Sequence, residues 1–114
     1  MDKLNKLIDK FIEATEIHGK ESRTGNYKLA NKNYKIAEKC YKEIKSFGED
    51  GYNEIAKLLL HENGHVRVGA AYHLLPVKSE IAVKVLKESI GLSEGIGFIA
   101  GMILSEWEKG KLKF

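Results

Sequence analysis

The string His61-Glu62-Asn63-Gly64-His65 has the residue types and spacing of the H-E-x-x-H motif. In that motif two imidazoles four residues apart on one helix face bind zinc, and the glutamate between them acts as general base. A third ligand from elsewhere would make the chain a zinc-dependent hydrolase. Two features oppose this reading. Asn63-Gly64 is a poor helix centre, because glycine costs about 1 kcal/mol relative to alanine there and asparagine several tenths more. A helix through the pair would also fuse its flanking segments into one rod of about 25 residues and remove the turn between them. Glu80 and Glu88 lie downstream, but neither completes a convincing ligand set. The string therefore reads as an Asn-Gly turn flanked by two surface histidines. No metal site, cofactor or catalytic residue is expected, and incidental metal binding at His61 and His65 is left open.

Other chemistry is sparse. Cys40 is the only cysteine, so the chain has no internal disulfide and no cysteine-based zinc cluster, and its place on an apolar stripe predicts an inert buried thiol. No serine nucleophile elbow, phosphate-cradling glycine loop or paired-carboxylate constellation is present, and Glu106 and Glu108 beside Trp107 have no evident partner. His73, between Tyr72 and Leu74, reads as a buried imidazole with one nitrogen satisfied. Arg67 reads as structural, its stem packed between hairpins and its guanidinium reaching a carboxylate or carbonyl of a neighbouring repeat. An enzyme is the class with least support.

The strongest surface signal is charge. The net charge is +3, and between Arg23 and Lys45 seven basic residues face only Glu38 and Glu43. At helical spacing Lys28, Lys32, Lys35, Lys39 and Lys42 form one stripe, flanked by Tyr27, Tyr34 and Tyr41 every seven residues. These eight residues are the candidate partner-binding surface. Lysines beside aromatic residues suit an acidic protein partner. The alternative is nucleic acid, with lysines on phosphates and tyrosines stacked on unpaired bases, although no arginine cluster or groove-entering motif accompanies them. Lysine stripes also occur on helix faces that are merely solvated.

The elements that position these residues are all helical. With 114 residues the chain is expected to form a single domain, 1–114, and its 43% hydrophobic and 31% charged residues are those of a soluble globular protein. No leader-like segment follows Met1, and the longest apolar run, Gly95 to Leu104, is about half of the roughly 20 residues needed to cross a bilayer. A cytoplasmic protein with no membrane association is expected. Apolar residues at i, i+3, i+4 and i+7 predict helices over Asp2 to His18, stopped by Gly19; Asn26 to Phe47, stopped by Gly48; Gly51 to Leu60, capped by Asp50; Val66 to Leu75, stopped by Pro76; Glu80 to Ile90, capped by Ser79; and Ser93 to Lys109. In the second helix Leu29, Asn33, Ile36, Cys40, Ile44 and Phe47 form the expected core arc, with Ala30 and Ala37 at its edge. Gly97 and Gly101 lie one turn apart beside Phe98, Ala100 and Ile103, so the last helix can approach a neighbour closely, and self-association through Gly97, Phe98 and Gly101 is left open.

The segments Asp50 to Leu75 and Ser79 to Gly110 share a helix-turn-helix layout of about 30 residues. Leu59-Leu60-His61-Glu62-Asn63-Gly64-His65-Val66-Arg67-Val68-Gly69-Ala70-Ala71 resembles a HEAT repeat, whose second helix opens on Val-Arg after a polar turn and continues with an Ala-Ala pair. Gly25 to Tyr34 and Leu104 to Gly110 look like a small bacterial HEAT-like family of unknown function. That resemblance implies an all-α fold, a HEAT-like right-handed array of about three antiparallel helix pairs (an α-α superhelix), and no established activity. Similar small helical proteins serve as immunity partners of bacterial toxins. The function expected is thus a protein-protein interaction module, an immunity protein whose partner is a toxin domain. The positive charge fits such a role only if the toxin's contacting face is acidic or if Glu49, Asp50 and Glu54 make the contact.

Overall fold

The computed structural model of the protein describes residues 2–92 and 95–112. Those residues form an all-α fold of six α-helices and one 3-10 turn, in two compact units, Met1–Lys57 and Leu58–Phe114. None of the helices is long and apolar enough to cross a membrane.

The first unit is built on a helical hairpin. Helix α1 runs Asp2–Thr24 and buries Leu4, Ile8, Phe11, Ala14 and Thr15, the i, i+3, i+4, i+7 stripe of an amphipathic helix. It continues through Gly19, which is buried inside it, and ends at Gly25, whose φ of 90° is the left-handed conformation that stops a helix. The expected stop at Gly19 is therefore corrected: an interior glycine weakens a helix but does not end it.

Helix α2 spans Tyr27–Lys45, with the Asn26 side chain accepting from the Leu29 N–H as its N-cap. It packs along α1 and buries Ala30, Asn33, Ala37, Cys40, Tyr41 and Ile44. The core arc is rotated from the expected one: Leu29, Ile36 and Phe47 are half-buried, whereas the two alanines lie inside. Alanine lets the α1 and α2 backbones approach, so the small residues mark the contact line. Asn33 tolerates burial because its amide donates to the Leu29 carbonyl at 3.0 Å.

Gly48, at a φ of 65°, reverses the chain into α3, Glu49–Lys57. Asp50 lies inside its first turn with Glu49, where negative charge favours the helix dipole, rather than at the cap. A Cβ on Gly51 would run into the Ile44 carbonyl, so only glycine allows α3 to cross the end of α2.

In the second unit, Leu58–Leu60 forms the 3-10 turn, followed by α4 (Gly64–Leu74), α5 (Ser79–Ser89) and α6 (Ile96–Glu108). Helix α4 is apolar on most of its sides and buries Val66, Val68, Ala70, Ala71, His73 and Leu74, so it is central, packed by α5, α6 and the 3-10 turn. Its ladder stops at Pro76, which has no N–H to donate; Leu75 keeps right-handed helical angles, so the missing donor and not a distorted preceding residue ends the helix. Ser79 is the first residue of α5, with Lys78 at the cap position and no side-chain capping bond. Helix α6 starts at Ile96; Ser93, the expected start, lies outside the described residues. The predicted helix from Gly51 to Leu60 is divided after Lys57, its first part belonging with α1 and α2 and its last turn with α4.

Candidate functional site

The turn bearing His61 and His65 is a helix start. His61 lies between the 3-10 turn and α4, and Asn63 is the N-cap, its side-chain oxygen accepting from the His65 N–H at 2.8 Å and the Val66 N–H at 3.4 Å. The asparagine that makes a poor helix interior is thus a good helix beginning. The His61 Nδ1 accepts the Asn63 N–H at 3.0 Å, which puts the imidazole proton on Nε2 and commits Nδ1 to the turn. Arg67 folds back and donates through Nη1 to the carbonyls of His61 at 2.7 Å and Glu62 at 3.0 Å. Its partner is its own turn, not a neighbouring repeat as its position in a HEAT-like hairpin implies. His61 precedes the helix while His65 is in its first turn, so the two do not share a helix face as the H-E-x-x-H geometry requires. Among the described residues no three His, Cys, Asp or Glu side chains gather where a metal ion could be held.

The lysine stripe is a continuous exposed face. Lys28, Lys32, Lys35, Lys39 and Lys42 are all exposed on α2, and Tyr27 and Tyr34 stand beside them with 67% and 50% of their surface accessible. Tyr34 lies against the His18 ring at 5.4 Å between centroids, and His18 donates from Nδ1 to the Ala30 carbonyl at 3.0 Å, so α1 holds the flank of this face in place. Tyr41 is different: at 8% exposure it belongs to the core between α1 and α2. The heptad spacing that groups the three tyrosines runs slower than the helix, so the third rotates inward. Seven of the eight expected partner-binding residues share the surface.

Two buried groups have shifted acidities. Burial pushes the Cys40 thiol up, as expected for an inert core cysteine. Loss of hydration holds His73 down to about 4, so it is neutral across the physiological range; its ring meets Tyr72 edge-on at 5.0 Å.

A second exposed surface lies on α6, where Phe98 and Met102 are 76% and 50% accessible, with Ile90, the residue after α5, half-exposed on the side of Gly101 and Ser105. The pairing of Phe98 with the residue one turn on is the signal that identifies it, since the helix period puts both on one side. Met102 and Ile90 were not among the expected surface residues, because each also fits an apolar stripe facing inward. Of the two glycines, Gly97 is consumed internally: a Cβ there would run into the Ile90 and Leu92 carbonyls, whereas one on Gly101 would meet nothing within 4 Å.

The fold is similar to that of the protein RPA1889 from Rhodopseudomonas palustris CGA009, known from a crystal structure, with a TM-score of 0.85 over 97% of this chain and 93% of that one. Sequence identity over the match is 20%, so the likeness concerns the fold alone. No family model matches the sequence, and no curated protein matches it significantly.

Proposed function

We propose that the chain is a protein-protein interaction module whose α2 face docks on an acidic protein surface, a toxin domain neutralised by an immunity protein being the partner that the family resemblance points to. The observation that carries the reading is the stripe itself. Lys28, Lys32, Lys35, Lys39 and Lys42 succeed one another at i+3 or i+4, all exposed, with no acidic residue within the stripe. The four like-charge pairs at that spacing each cost a helix about 0.2–0.5 kcal/mol at low salt, a cost that Glu38, three residues from Lys35 and four from Lys42, and Glu43, four from Lys39, partly offset from the edges of the stripe. A solvated face gains nothing from that arrangement; a face that meets carboxylates does. Tyr34, held against His18, and the more exposed Tyr27 add aromatic contact area of the kind that dominates binding energies. The HEAT-like arrangement belongs to the same proposal, supported by α1 with α2 and α5 with α6 as helix pairs in contact.

The test is binding of the purified chain to the product of the adjacent gene, with a Lys32→Glu, Lys35→Glu, Lys39→Glu variant as comparison. The expected result is a loss of affinity of at least about tenfold with fold content unchanged. Equal binding by the variant overturns the choice of face. Titration with a single-stranded oligonucleotide and a duplex at low salt is run alongside. Tight binding that falls steeply with salt replaces the protein reading with the nucleic-acid one.

A further inference from the structure

The uncharged exposed face of α6 has features that a solvated helix does not need. At 100° per residue, Phe98, Gly101, Met102 and Ser105 fall within one arc of about 100°. Phe98 and Met102 project into solvent, Gly101 has open space above it, and Ser105 is half-buried in a shallow groove that Ile90 borders and that Lys87, Glu108 and Lys109 line at its charged end. From Gly95 to Ser105 there is no charged residue.

The charges that α6 does carry oppose its own dipole. Its first turn has no acidic residue and its N-cap, Gly95, makes no side-chain capping bond, while Glu106 and Glu108 lie in its last turn, ahead of Lys109 at the C-cap. Glu94 precedes the cap in sequence but lies outside the described residues. An antiparallel copy brings Glu108 to each uncapped N-terminus.

We infer that this face is a self-association surface, which takes α6 of a second copy of the chain antiparallel across a two-fold axis. A two-fold axis sets every side chain near it against its own kind, so the central residues of such an interface must be uncharged, as these are. With the axis between Gly101 and Met102, Phe98 of each copy lies over Ser105 of the other and Met102 over Gly101, large side chains on small ones. Glu108 then lies over Gly95, at the uncapped N-terminus. Ile90 flanks the seat of Met102 and gives the contact breadth beyond one helix. This surface is on the second unit and the lysine stripe on the first, so the inference stands or falls independently of the proposed function.

Sedimentation velocity on the full chain, from about 1 µM to about 500 µM, is the first measurement. A concentration-dependent dimer is expected. Phe98→Asp and Met102→Asp should each weaken it at least about tenfold, since both place carboxylates against an apolar seat and Met102 is beside the axis. Gly101→Leu should do the same by filling the seat without adding charge. All three positions face solvent, and helical content by circular dichroism checks that the variants fold. Met102→Cys supplies the positive arm: mild oxidation should give a disulfide-linked dimer, and a cysteine at Lys35 should not. A chain that stays monomeric at the highest concentration overturns the inference, as does a dimer that all three variants leave intact. A monomer whose α6 face instead binds a different protein overturns it as well.

Discussion

His73 carries an unusual electrostatic position in the core of α4. Its pKa is held down to about 4 by burial, against an ordinary value of 6.5. Below 6.5 the unfolded chain takes up a proton that the folded chain refuses, so stability contributed by the neutral imidazole is complete above 6.5 and is lost as pH falls towards 4. About 2 kcal/mol should disappear between pH 7.5 and 5, and about 3 kcal/mol by pH 4. Urea midpoints across that range measure it, and His73→Gln should flatten that part of the profile. Asn63→Ala should cost about 1 kcal/mol by removing the cap of α4, while Asn63→Asp should cost little because a carboxylate also caps a helix. At this scale the turn was legible in the residues: an Asn-Gly pair says stop to one helix and start to the next. The destination of Arg67 was not. A helix position fixes where a long side chain begins, and the carbonyls of His61 and Glu62 offered it a nearer partner than any other hairpin.

The two glycines of α6 make a paired experiment on a single element. Gly97→Ala should destabilise by several kcal/mol, since its Cβ must displace the Ile90 and Leu92 backbone, which cannot yield as a flexible side chain can. Gly101→Ala, one turn on, should be neutral or stabilise the chain by up to about 1 kcal/mol through helix propensity. Thermal unfolding at low concentration, where self-association is negligible, separates them. Helix α2 offers a second test. If the lysines repel one another, added salt should raise stability at low ionic strength, and Lys32→Glu, which turns the repulsions from Lys28 and Lys35 into attractions and has no acidic neighbour one turn away, should stabilise the chain and blunt the salt response. Helix existence and order were legible at this scale from apolar spacing. Boundaries were less so, because Gly19 and Gly25 look alike in sequence, and only Gly25 adopts the left-handed angles that end α1. The rotation of the α2 core towards Ala30 and Ala37 was hidden for a related reason: hydrophobicity ranks alanine low, yet close helix packing favours it.

The division of the molecule into Met1–Lys57 and Leu58–Phe114 was not visible in the sequence, where Ile55 to Leu60 is apolar but for Lys57 and holds no glycine or proline to mark a break. Periodicity reports which face of a segment is apolar and not which neighbours it will choose. Each unit has a core of its own, with Phe11 and Ile44 fully buried in the first and Leu74 and Leu86 in the second. Native-state hydrogen exchange should therefore respond locally: Phe11→Ala should lower protection in α1 and α2 by about 3 kcal/mol or more, and in α4 and α5 by less. Equal loss throughout would mean that the chain opens as one. The connection between α1 and α2 bears on how the chain reaches this state. Only Gly25 and Asn26 separate the two longest helices, so their contacts are mostly near in sequence and the loop to be closed is as short as a helical hairpin allows. Helical hairpins of this kind form on the microsecond-to-millisecond scale, far faster than a ribosome adds residues. During synthesis the lysine-bearing hairpin should already be assembled while the second unit is still being made, with its positive face formed before α4 to α6 have a shape.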